Sequence, residues 1–262
     1  MRQKARSSPP ESAILWKGAR VEETVESLMS EIRGRLQDIE SSLPRNLDIL
    51  AVSPTPKLPF KALSYRATLI WRMAELSRDA YHAFEADRLA SAILLTRAAV
   101  ETCAALWYLT GKVSSALKSG SVGDIDSYLM RLFGGSRVDG NMPQAINVLN
   151  FVDCVEKDLE GFRHQYDLLS EFAHPNWSGT TGLYSKIDQA NFAVEYGSNV
   201  RELAGPKHIG VINLSVALGL FENSYNRLGD DFPKFIQLCN RAVDAAESAP
   251  SNPTDGDRKP HN

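Results

Sequence analysis

Between Arg88 and Lys112 the chain carries only two charges, Arg97 and Glu101, set in LASAILLTRAAVETCAALWYLTG. A helix this apolar on nearly every face has no polar side to turn to water. It belongs at the centre of a helical bundle or in a bilayer. The two charges decide between them, because each costs about 2.5–3.5 kcal/mol near a bilayer centre. Residues 88–110 therefore read as the buried central helix of a soluble, cytoplasmic protein with no membrane partner, and Gly111 as its stop.

The rest of the chain supplies the helices that such a centre needs. Residues 20–43 hold one apolar stripe, Val21, Val25, Leu28, Ile32, Leu36, Ile39 and Leu43, closed by Pro44. A linker with Pro54, Pro56 and Pro59 follows, so this amphipathic helix docks either on its own domain or on a second copy as a homodimer contact. Residues 60–86 read as a second helix, with small residues that let a neighbour approach. Ser119–Gly123 is a loop, Ile125–Phe133 a short helix, and Gly134–Met142 another loop. Pro143 suits a first helical position and opens a stripe running to Ala173, which Gly161 splits. LYSKID and NFAVEY alternate like the arms of a small β-hairpin within 176–197. A final helix pair, 207–228 and 232–247, is separated by Gly229 and Pro233.

The fold class is thus all-α, a multi-helix bundle with a small hairpin and a separate N-terminal amphipathic helix. Residues 1–56 form an arm, helix and linker, 57–247 the helical domain, and 248–262 a tail. Residues 1–12 and the tail have the composition of disordered segments.

Lys+Arg 29 against Asp+Glu 32 leaves a formal net charge of -3 and no basic footprint for non-specific duplex binding. Cys103, Cys154 and Cys239 are odd in number and form no CxxC pair. No Walker A loop, GxGxxG, GxSxG or HExxH occurs, so the common phosphate-cradling, dinucleotide and esterase chemistries lack their residues, and no cofactor is implied.

Two polar rows remain. Tyr166, Ser170 and His174 stand four apart, on one helix face. Pro175 ends that helix, and a helix C-terminus favours the imidazolium form of His174. That suits a proton carrier near neutral pH, or simply a cap with Ser170 bonded back to its own helix. Arg97 and Glu101 are also four apart, positioned to pair. They form either a satisfied ion pair that fixes the bundle's register or a polar pocket in which Arg97 holds an anion. Buried polar rows need partners, so all five side chains are expected to converge. Glu171 with His174 and Asp79 with His82, together with Glu101 and Glu222, have the spacing of a carboxylate-bridged dimetal site. Chance also yields such pairs among 32 acidic residues and five histidines, so no metal is assigned. Trp71 and Trp107 read as core, and Trp177 as a loop anchor or a stacking wall.

RAAVETCAALWYL (97–109) with YDLLSEFAHPN (166–176) resembles bacterial helical proteins of the HEPN superfamily, which includes toxin–antitoxin, abortive-infection and other antiviral defence ribonucleases. The resemblance implies an all-α bundle that dimerises and cleaves RNA without metal, using an Arg and a His four to six residues apart. His174 would match the family's His and Glu101 its acid. The positions for the Arg hold Leu169, Leu168 and Asp167, while Arg163 lies too far away. Either Arg97 substitutes from another helix, with Tyr166 and Ser170 positioning the substrate, or the chain is a non-catalytic module binding a partner protein or small ligand.

Overall fold

The computed structural model describes residues 24–48, 57–198 and 200–248. The expected arm, the start of the first helix, most of the linker and nearly all of the tail lie outside them. The described residues form α1 (Val25–Ser41), α2 (Lys57–Glu85), α3 (Leu89–Ser119), α4 (Ile125–Phe133), α5 (Val148–Glu156), α6 (Phe162–Ala173) and α7 (Thr181–Tyr184). Strands β1 (Ser185–Asp188) and β2 (Ala193–Tyr196) follow, then α8 (Ala204–Glu247). This is an all-α multi-helix bundle with one small hairpin.

Its centre is α3. The helix packs against α2, α8, α5, α6 and α4, and buries Ile93, Val100, Leu106, Leu109 and Val113 among them. It is apolar and long enough to cross a membrane, but most of its apolar window is covered by other helices. Gly111 does not stop it. An interior glycine only weakens a helix, and burial on both sides carries the backbone through. The stop is Gly120, whose φ of 68° is the left-handed conformation of a helix C-terminus.

The first helix docks at home. Thr24 caps it, accepting a hydrogen bond from the Ser27 amide at 3.2 Å. Leu28, Ile32, Leu36 and Ile39 are buried between α2 and α8, at about 1.5–3 kcal/mol each before ordering costs. Arg33 bonds Tyr81 and Glu85 of α2, and Arg35 pairs with Glu222 of α8 at 2.5 Å. Those four residues therefore carry no apolar stripe outward to a second copy. Trp71, expected in the core, is 46% exposed. Its indole N–H instead donates to the Pro44 carbonyl at 2.9 Å and ties down the strap after α1. Trp107 is also only partly buried and reaches Asp158.

Pro143 does not open a helix. Its carbonyl accepts from the Ser136 amide at 2.8 Å, and the chain stays extended until Asn147 caps α5. A cap needs a side-chain acceptor, which Asn147 supplies and Met142, the residue before Pro143, cannot. The split at Gly161 is borne out: its φ is 95°, and the Glu156 carboxylate receives the Gly161 and Arg163 amides at the start of α6. The hairpin is also borne out, antiparallel with Ile187 opposite Val194.

The expected final helix pair is one helix of 44 residues with Pro233 inside it. Leu228, Phe232, Phe235 and Cys239 keep a buried stripe across the proline. That burial outweighs the lost backbone hydrogen bond. Towards its N-terminal end, α8 lies so near α2 that a Cβ on Gly210 would stand 2.6 Å from the Phe84 ring.

Candidate functional site

Four of the five side chains singled out from the sequence meet on the seam between α3 and α6. Arg97 and Glu101 stand one turn apart on α3; Tyr166 and Ser170 stand one turn apart on α6. The Tyr166 hydroxyl is the hub. It accepts from Arg97 Nη2 at 2.7 Å and donates to Glu101 Oε1 at 2.9 Å. Arg97 Nε donates to Ser170 Oγ at 3.0 Å, and Ser170 Oγ donates to the Tyr166 carbonyl of its own helix at 2.9 Å. Arg97 and Glu101 close the ring as an ion pair at 3.3 Å. The guanidinium also lies 5.0 Å from the centre of the Tyr166 ring, a cation–π distance.

The arrangement is enclosed on one side and wet on the other. The Tyr166 side chain is buried, whereas the Arg97 and Glu101 side chains keep 30% and 25% of their surface. Burial, and then the hydrogen bond to Glu101, raise the Tyr166 phenol above its ordinary value. The phenol is therefore neutral at physiological pH and serves as a donor–acceptor bridge rather than a proton source. The Ser170 and Tyr166 hydroxyls each donate one hydrogen bond and accept one within the ring.

His174 is not part of it. It is the residue that ends α6, with φ -91° and ψ 149°, and its exposed side chain has no hydrogen-bond partner among the described residues. Leaving the helix turns the backbone away from the 166–170 row, so the four-residue spacing no longer sets its direction. The five-residue convergence thus holds for Arg97, Glu101, Tyr166 and Ser170 but does not include a hydrogen bond to His174. Trp177 beyond it is exposed and anchors its loop, lying against Gly182 with Arg201 5.9 Å from its ring.

The carboxylate–histidine spacings do not assemble. Glu171 accepts from Asn176 at 2.7 Å, His82 pairs with Glu85 at 3.1 Å, and Glu222 is held by Arg35. Among the described residues no three His, Cys, Asp or Glu side chains gather as a metal-holding group. All three cysteines are free; Cys103 and Cys239 are buried and Cys154 is half-buried, and burial pushes each thiol up, away from thiolate chemistry.

Two features escaped the sequence reading. A cavity of about 230 Å³ lies beside the turn from α2 to α3, with Arg88, Leu89, Leu183 and Tyr184 in its wall. Lys112 sits 3.5 Å from the centre of the Tyr128 ring and 5.3 Å from that of Tyr108. The Tyr108–Lys112 spacing of four was a signal for the second, but the cavity joins segments about 100 residues apart and had none. The fold and site define the chain as an all-α helical bundle with an internally bonded polar seam. No family model, curated protein or solved structure matches it.

Proposed function

We propose that this chain is a catalytically silent helical module that binds a partner protein or small ligand, with the α3–α6 seam as its structural lock. One observation carries the reading. Arg97 directs its Nε and Nη2 donors into Ser170, Tyr166 and Glu101, so the cation that a phosphate would need is already engaged. A transition-state stabiliser works by holding donors ready for charge that develops during reaction. Here Nε and Nη2 are spent on the resting protein, which leaves only Nη1 without a hydrogen bond among the described residues.

A second reading is a metal-independent endoribonuclease of the defence or toxin type. It is favoured by His174, an exposed imidazole four residues beyond Ser170 with no hydrogen-bond partner among the described residues. Purified chain incubated with structured and single-stranded RNA in a chelator separates the two. The module reading expects no cleavage by the parent or by His174→Ala. Cleavage by the parent that disappears in a folded His174→Ala variant would replace it with the ribonuclease reading.

A further inference from the structure

Three features meet at one end of the bundle, and the packing of α1 is the first. Glu40 of α1 meets Arg78 of α2 at 3.3 Å, and Arg33 meets Glu85 at 3.2 Å. Seven residues back along α1 thus match seven forward along α2, so the two helices are antiparallel. Glu85 is the last residue of α2. Thr24 stands nine residues before Arg33, so α1 runs on by about 13 Å beyond the level of Glu85. Residues 1–23 therefore join the bundle beside the α2–α3 turn. Lys207 of α8 marks the same place, pairing with Asp87 of that turn at 2.5 Å. Hydrogen bonds from its own amide and from Thr24 hold the Glu26 carboxyl below its ordinary value, and the charge of Lys207 adds to the shift.

The second feature is the cavity of about 230 Å³ at this turn, whose lining is mixed. Leu89, Leu183 and Leu203 stand beside Asp87, Arg88 and two serines. A hydrocarbon occupant would leave the polar groups without bonds. A peptide suits both kinds of lining, offering apolar side chains to the leucines and backbone groups to the hydroxyls. An apolar cavity of about 150 Å³ is enough to take benzene, so this one has room for an indole.

The third feature is in the arm itself. Residues 1–23 contain a single run of consecutive apolar residues, Ala13, Ile14, Leu15 and Trp16. Glu11 and Lys17 flank the run with one charge of each sign. The cavity also carries one of each: Asp87 is held by Lys207, while Arg88 is exposed with no ion pair among the described residues. Trp16 stands eight residues before Thr24, a reach of up to about 26–29 Å when extended. So short a tether presents the run to the cavity at an effective concentration on the order of millimolar.

We propose that residues 11–18 of this chain dock in the cavity beside the α2–α3 turn, seating Trp16 among the leucines and closing the cavity. Glu11 then supplies the acid that Arg88 lacks. The inference goes beyond the function proposed above and does not depend on it.

The full chain with Trp71, Trp107 and Trp177 replaced by Phe reports on Trp16 alone. Acrylamide should quench its fluorescence several-fold less than that of free N-acetyltryptophanamide. Ala90→Glu and Leu203→Asp, each placing a charge in the cavity lining, should restore quenching to near the free value. Val138→Asp, on an exposed side chain of the α4–α5 connection, should leave the shielding unchanged. Circular dichroism checks that each variant is folded. Trp16 as open to acrylamide as the free compound overturns the proposal. So does shielding indifferent to both folded cavity variants. Shielding that grows with protein concentration would give the arm to a second copy, and shielding that needs phosphatidylcholine vesicles would give it to a lipid surface; either overturns the proposal. Hydrogen exchange needs no replaced tryptophans. In the otherwise unaltered chain, Trp16→Asp should speed exchange of the amides of 86–91 and 183–185 several-fold and leave those of 148–156 unchanged. Equal rates in parent and variant overturn the proposal too.

Discussion

The α3–α6 seam and the β1–β2 hairpin depart from ordinary burial in opposite directions. On the seam, charged and polar side chains leave water, and each finds a partner in the same chain. On the hairpin, the apolar side chains Ile187, Phe192 and Tyr196 stay largely uncovered by the described residues. The difference assigns their roles. A polar cluster that satisfies itself has little left to offer a ligand, whereas an apolar face that satisfies nothing is where free energy remains to be gained. The residue types that look most like chemistry are thus the ones holding the bundle together.

Breaking the seam should have the largest effect. Arg97→Ala leaves Glu101 and the Tyr166 hydroxyl half-buried without their cation. Loss of one partner of a fully buried pair costs about 3–5 kcal/mol, and the partial exposure here puts the expectation at about 3 kcal/mol. Urea unfolding should show it as a lower midpoint with an unchanged slope. Arg97→Met combined with Glu101→Leu should recover much of the loss, because no charge is then stranded.

Alkaline pH should weaken the fold next. Burial pushes the Tyr65 phenol up to about 12 and also raises Tyr166. Both hold their protons more tightly when folded. Their contribution is whole below the ordinary tyrosine value near 10 and is lost as pH rises through the folded values. For Tyr65 alone the shift corresponds to about 2–3 kcal/mol. Melting temperature followed from about pH 9 to 12 should fall, and Tyr65→Phe should flatten most of that slope.

Tyr166→Phe is a smaller cut. It keeps the ring and removes only the bridging hydroxyl, for about 1–1.5 kcal/mol. In a chain of this size that lowers the melting temperature by roughly 2–6 °C. At the far end of the scale, Phe192→Asp and His174→Ala should each stay within about 0.5 kcal/mol of the parent, since both side chains are exposed and bonded to none of the described residues. A large loss of stability in Phe192→Asp would show that the hairpin is packed on its own bundle and would erase the contrast with the seam.

Much of this contrast was legible before the fold was seen. Arg97 and Glu101 stood out because α3 is otherwise apolar. Tyr166 and Ser170 share their spacing, and buried polar rows must pair. Ile125–Phe133 and the break at Gly161 were legible for a similar reason, since local signals and burial agree there. The failures share one cause. Gly111, Pro143 and Pro233 are local punctuation, and packing overrides or ignores it: α3 and α8 are buried on both sides of their breakers, and α5 waits for Asn147. His174 failed differently. The spacing argument holds only while the chain is helical, and His174 is the first residue outside α6. The cavity beside Arg88 was invisible because it depends on three segments meeting.

The account rests most heavily on the seam being a lock, and a double-mutant cycle between Arg97→Met and Tyr166→Phe measures that directly. Urea unfolding of the parent, both single variants and the double variant yields their coupling energy. The account predicts a favourable coupling of about 1–2 kcal/mol, beyond the roughly 0.3–0.5 kcal/mol expected of independent sites. Strictly additive losses would mean that Arg97 and Tyr166 do not stabilise one another, and would return both side chains to the pool of residues free to serve a ligand.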